Sequence, residues 1–83
     1  MTGTRIVLAE DLRPGDVIVK TVDQTFGGRF IETEIQQLTV GRLTGIGPTQ
    51  GRITVIDVEW TRTEFFPRGQ RLRIHRESNQ ETV

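Results

Sequence analysis

Apolar positions in this chain come in short runs rich in Val, Ile and Thr, parted by Gly, Pro and Asp, a rhythm that predicts strands and turns throughout. Thr4 to Leu8 reads as a first strand, and the segment DLRPGD then turns the chain. Pro14 fixes φ and Gly15 permits the bend, as at the centre of a type II turn, while Asp16 can bond back to nearby backbone N–H groups. Asp16 to about Phe26 reads as the second strand. Gly27-Gly28 follows, a pair suited to a two-residue hairpin turn.

Residues 29–43, RFIETEIQQLTVGRL, admit two readings. Ile31, Ile35 and Leu38 have helical spacing, and Thr33 with Gln36 imitates a capping box. As a strand, Ile31, Thr33 and Ile35 share a face. Leu38 and Val40 then turn inward only if the phase changes at Gln36-Gln37, which a β-bulge provides. The Thr-Val-Gly that follows and the β-rich neighbours favour strand; a short helix or an added hairpin within residues 29–51 is the alternative.

Residues 44–51, TGIGPTQG, form a loop by composition. Arg52 to Trp60 is the clearest strand, with Thr54, Ile56, Val58 and Trp60 on one face and Ile53, Val55, Asp57 and Glu59 on the other. Thr61-Arg62 turns, Thr63 to Phe66 pairs back, and PRGQ turns again at residues 67–70. Arg71 to His75 closes the set with Leu72 and Ile74 inward, and residues 77–83 make a polar tail expected to be disordered. The fold class is therefore all-β. One domain over residues 1–76 forms a small, strongly bent barrel of five or six strands, whose curl protects edges that so small a domain could not otherwise cover.

Composition narrows the chemistry. With 83 residues and no cysteine, the core is single and thin, and neither disulfides nor thiolate metal sites can supplement it. Eleven basic residues balance eleven acidic ones, which argues against a surface wholly devoted to phosphate backbones. All the basic residues but Lys20 are arginines, and they are scattered, so codon usage explains the bias better than a recognition surface does. The early apolar run from Ile6 to Ala9 is too short for an export signal, and no stretch nears the ~20 apolar residues of a membrane helix. A cytoplasmic protein without a membrane partner is the expectation.

The candidate motifs are mostly negative. GIGPTQG has the glycines of a nucleotide loop, but a strand follows it where a helix N-terminus is required, and Pro48 removes a donor. His75 is the single histidine and Ser78 the single serine, so neither a histidine metal cluster nor an ordered Ser-His-acid arrangement can be assembled. No cofactor, metal or small-molecule substrate is implied. Asp57 and Glu59 share a face and could divide acid and base roles, yet a cross-strand ion-pair ladder with Arg71, Arg73 and His75 accounts for them without catalysis.

The positive signal lies in residues 62–76. Arg62, Arg68, Arg71, Arg73 and Arg76 stand there against one acid, Glu64, with Phe65 and Phe66 among them and Trp60 just before. Basic charge interleaved with aromatics is how small barrels bind single-stranded nucleic acid. The runs VIV at 17–19 and ITVI at 53–56 are apolar on both faces, which suggests a barrel corner or coverage by a second copy.

Two resemblances sit on these residues. EDLRPGD is similar to the early part of Hint domains, the intein and hedgehog processing modules, but the preceding MTGTRIVLA holds no Cys or Ser nucleophile, and Leu72 stands three residues before His75 where that family has Thr. Self-processing is therefore not expected. The order DLRPGDVIV, hairpin, ITVIDVEW, TEFFPRGQRLRI resembles small uncharacterised proteins of actinobacteria and their phages, which implies a barrel of the Src-homology-3 type and no particular activity. The functional expectation is a non-catalytic binding protein, such as a phage accessory protein contacting a host macromolecule, protein before nucleic acid. A self-assembling homo-oligomer and a single-stranded nucleic-acid binder are the alternatives. The expected contact residues are Trp60, Arg62, Arg68, Arg71, Arg73, His75 and Arg76, with the loop at 44–51.

Overall fold

The computed structural model describes residues 3–45 and 51–76, so the loop expected at 44–51 and the tail expected at 77–83 fall largely or wholly outside the described residues. Six strands form: β1 (Thr4–Leu8), β2 (Val17–Gln24), β3 (Phe30–Thr44), β4 (Arg52–Asp57), β5 (Thr63–Pro67) and β6 (Arg71–His75), with one 3-10 turn at Ala9–Asp11. They make one antiparallel sheet in the order β1-β6-β2-β3-β4-β5. The all-β, strongly bent architecture is as expected, although no ladder joins β1 to β5 and the sheet is not closed by hydrogen bonds. The last strand closes the set differently from expectation. It crosses to the far end and lies between β1 and β2, away from β5.

Three irregularities bend the sheet. Between the pairs Ile18↔Leu38 and Lys20↔Glu34, the single Val19 of β2 faces Ile35, Gln36 and Gln37 of β3. This is the phase change expected at Gln36-Gln37, and it lets Leu38 and Val40 point inward; the strand reading of this segment holds over the helix. Val19 is also the extra residue against β6, where Ile18 pairs with Ile74 and Lys20 with Arg73. The third lies at Gly41, extra between Val40↔Asp57 and Arg42↔Ile56. A Cβ there would lie 2.7 Å from the Val58 Cα, so only glycine allows the approach.

The bends bring both ends of the sheet over one core. Ile18, Leu38, Val40, Ile53, Val55, Phe66, Leu72 and Ile74 pack together with Ala9 and Leu12. Leu72 and Ile74 are inward as their alternation predicted. Beyond this core the β2–β3 hairpin runs on as an exposed arm, and the molecule measures 43 × 30 × 25 Å. Among the described residues no strand pairs with the outer edge of residues 30–34, and Glu32 and Glu34 stand on it, charges that discourage stray strand pairing. The hairpin itself is a correction. Gly28 N–H donates to the Thr25 carbonyl and Thr25 N–H to the Arg29 carbonyl, so the turn has three residues and a bulge; only Gly28, at φ +82°, needs the left-handed region.

The first corner is held from several sides. Arg13 to Asp16 form the expected turn, with Gly15 at φ +96° and Asp16 N–H donating to the Arg13 carbonyl. Arg13 N–H donates back to Asp16 Oδ2 at 2.9 Å, and Gly15 N–H and the Asp16 carbonyl both bond Val40 of β3. Asp16 is 2% exposed and is gripped by the Arg76 guanidinium, Nε to Oδ1 at 2.8 Å and Nη2 to Oδ2 at 2.7 Å. What reads locally as a turn is thus bolted to the far end of the chain.

Candidate functional site

The strand expected from Arg52 to Trp60 ends at Asp57, and the cause is the aspartate itself. Its Oδ1 accepts the N–H groups of Thr61 (2.7 Å) and Arg62 (2.8 Å), and its Oδ2 accepts the Thr61 hydroxyl at 2.9 Å. A side chain that satisfies backbone donors locally competes with the ladder and ends the strand. Desolvation pushes the Asp57 carboxyl up, but the hydrogen bonds from Arg62 and Thr61 outweigh it and hold its pKa below the ordinary value. The expected ladder of Asp57 and Glu59 with Arg71, Arg73 and His75 is therefore absent: Asp57 caps a turn, Glu59 lies inside it, and β6 is elsewhere in the sheet.

That turn presents Trp60. Trp60 N–H donates to the Asp57 carbonyl and Asp57 N–H to the Arg62 carbonyl, which leaves Trp60 at φ +61°. Among the described residues it is the only non-glycine in the left-handed region, where a bulky side chain costs about 1–2 kcal/mol. Its indole is nonetheless 67% exposed, so burial does not offset the strain. The turn is fastened on both flanks. Val58 N–H donates to the Thr39 carbonyl, and the Arg62 guanidinium donates to the Gln36 carbonyl at 2.7 Å, the Gln37 carbonyl at 3.3 Å and Glu64 at 2.9 Å. Between turn and bulge lies a polar cleft of about 270 Å³.

Beside Trp60 spreads the outward face of β3, β4 and β5. Inward Leu43, Ile53, Val55 and Phe66 leave the alternate residues outside. The ladder aligns Arg42 with Ile56 and Thr63, Thr44 with Thr54 and Phe65, and Arg52 with Pro67. The Arg42 guanidinium lies 5.8 Å from the Trp60 ring centre, and that of Arg52 lies 4.7 Å from the ring of Phe65, itself 53% exposed.

The residues expected to form a contact surface divide: Arg71, Arg73 and His75 share the outward face of β6 as expected, while Arg62, Arg68 and Arg76 serve partners elsewhere. Arg62 holds the Trp60 turn. Arg68 lies 4.0 Å from Glu10, whose carboxylate also accepts Gly69 N–H at 2.8 Å. Arg71 covers the ring of Phe30 at 5.4 Å. Arg73 grips Glu32 in a fork, at 2.7 and 2.8 Å, and donates to the Thr4 hydroxyl. Half-buried His75 pairs with Thr4 and Val17 in the ladders, and Arg76 serves Asp16. Trp60 remains an exposed contact candidate, but its company is Arg42, Arg52 and Phe65. Arg42 and Arg52 each precede an inward apolar residue, which marks them as outward; only the long-range ladder shows that they share a face.

Among the described residues no three His, Cys, Asp or Glu side chains gather as a metal site would require, and no helix is long and apolar enough to cross a membrane. No protein family matches this chain, and no curated protein or solved structure matches it either. Its class is accordingly given by the fold: a small, bent, all-β domain of six antiparallel strands.

Proposed function

We propose that the protein is a non-catalytic binding module whose contact surface centres on Trp60. One observation carries this reading: a tryptophan is kept exposed in a backbone conformation suited to glycine, by a turn fastened with six hydrogen bonds from or to Asp57 and Arg62 side chains. Strain of this kind that packing does not repay points to function. Tryptophan and arginine are also the residues that dominate binding energy where macromolecules meet.

Retention from a lysate compares the parent with Trp60→Gly, and size is measured in parallel at high protein concentration. A species held by the parent and lost by Trp60→Gly is expected. If both proteins hold the same species and have the same size, Trp60 is not a contact and the reading is wrong. An oligomer that dissociates in Trp60→Gly would make the partner a second copy of the chain.

A further inference from the structure

We infer that the outward face of β3, β4 and β5 binds single-stranded nucleic acid, with Arg42 and Arg52 on phosphates and Trp60 and Phe65 under bases. The inference rests on the binding reading above and names its partner. Its first support is the distribution of charge. Elsewhere Arg62, Arg73 and Arg76 each meet a carboxylate, of Glu64, Glu32 and Asp16. Arg42 and Arg52 meet aromatic rings instead, as Arg71 alone meets Phe30 at the other end of the sheet, and no described carboxylate lies within ion-pair reach of Arg42 or Arg52; this face is where two such pairs come together.

Where the three strands pair, over residues 42–44, 52–56 and 63–67, their outward positions are Arg42, Thr44, Arg52, Thr54, Ile56, Thr63, Phe65 and Pro67, without one acid; the acids of β3, Glu32 and Glu34, lie on the distant arm. A chain of zero formal charge therefore sets aside a face that is locally cationic. That face complements an anion, whereas the chain-wide balance had favoured a protein partner.

The second support is the pairing of each cation with an exposed ring. Unstacked bases offer flat π faces, and successive phosphates offer the anions, so a single strand satisfies both halves of each pair. A duplex hides its base faces and can satisfy only the guanidinium groups. Hydroxyls of Thr44, Thr54 and Thr63 lie on the same face, where they can donate to phosphate or sugar oxygens.

The chain contains one tryptophan, so its fluorescence reports on this face alone. The full-length protein is titrated with a 12-nucleotide oligothymidine and with a duplex of equal length, while anisotropy of a labelled strand follows the variants. Saturable quenching by the single strand is expected, with the duplex at least tenfold weaker. Trp60→Ala is expected to lose about tenfold in affinity, in line with one lost base stack. Arg42→Gln with Arg52→Gln is expected to lose at least tenfold and to flatten the salt dependence by about 1.4 in log–log slope, at roughly 0.7 for each phosphate contact on a single strand. Both are surface changes, and each variant is checked for an unchanged thermal midpoint.

Absence of quenching and of anisotropy change overturns the inference. So does equal binding of duplex, or parent-like binding by the double arginine variant. If oligonucleotides fail while a protein is still retained in a Trp60-dependent way, the partner class falls and the binding reading stands.

Discussion

Two turns in this molecule use the same device for opposite ends. At residues 13–16 and 57–62 an aspartate carboxylate accepts backbone N–H groups across a tight bend, and one residue of each bend takes a positive φ. In the first, glycine takes that conformation without steric cost, and the aspartate is buried against Arg76. In the second, tryptophan takes it and stands in solvent. The same local chemistry thus secures a corner in one place and displays a side chain in the other. What differs is the far end of each bolt. Asp16 is tied through Arg76 to the end of the last strand, whereas the 57–62 turn is tied to its sheet neighbours, to β3 through Arg62 and Val58 and to Glu64 of β5 through Arg62.

The largest expected effect tests the buried member. Arg76→Leu leaves the Asp16 carboxylate buried without its cation, which typically costs about 3–5 kcal/mol. A domain of this size has roughly 4–12 kcal/mol in all. Urea unfolding is expected to show a much lower midpoint, and the double variant Asp16→Ala with Arg76→Leu to cost less than the two single changes added together. A midpoint shift worth under 1 kcal/mol for Arg76→Leu would make the two turns alike and break the contrast. Next in size is Gly41→Ala. Its Cβ meets the Val58 backbone, so the strand or the Trp60 turn must shift, at about 1–3 kcal/mol by denaturant unfolding. Trp60 emission is expected to change as well, because Val58 fastens that turn to β3.

The contrast also marks how far the sequence could be read. The first corner was legible because its cues are adjacent: Pro14, Gly15 and Asp16 specify a turn within three residues. So was the bulge near Gln36, since Leu38 and Val40 fall out of phase with Ile35 and one insertion repairs both. The end of β4 was not. Val58 and Trp60 continue the alternation past the point where Asp57 captures Thr61 and Arg62, and side-chain capping leaves no periodic trace. The site fared likewise. Arg62, Arg68, Arg71, Arg73 and Arg76 are neighbours in sequence, yet each is engaged within the fold, by Gln36, Glu10, Phe30, Glu32 and Asp16 in turn, and those partners lie tens of residues away. Arg42 and Arg52 are brought onto one face only by a ladder whose register is set at Gly41.

A smaller effect isolates the strain in the second turn. Trp60→Gly and Trp60→Ala remove the same indole and the same contact with Arg42, so they differ chiefly in how the new residue tolerates φ +61°. Glycine tolerates it and alanine does not, a difference of about 1 kcal/mol. Trp60→Gly is therefore expected to be the more stable of the pair by thermal or urea unfolding, while both lose the partner equally. Equal stability, or a more stable alanine variant, would mean that the turn relaxes when the indole leaves. The tryptophan would then carry no strain to explain.

The smallest effect concerns protons. Hydrogen bonding from Gly69 N–H lowers the pKa of Glu10, the Arg73 fork lowers that of Glu32, and the net effect at Asp57 is also downward. In each case the folded value lies below the unfolded one, so the unfolded chain takes up the proton first as pH falls. The stabilisation is complete above the ordinary carboxylate range and is lost as pH drops through the folded values. All three groups are near solvent, so salt screens much of the effect and it is best measured at low ionic strength. The thermal midpoint is expected to stay level from neutral pH down to the ordinary carboxylate range and to decline below it. Arg76, whose pKa the Asp16 carboxylate raises, stays charged throughout and adds nothing to that slope. Trp60 emission separates the turns once more. Protonation of Asp57 weakens the caps on Thr61 and Arg62, so emission is expected to shift in the same acidic window, and Asp57→Asn to lose that shift. Superimposable acid titrations of parent and Asp57→Asn would show that the carboxylate does not hold the indole in place.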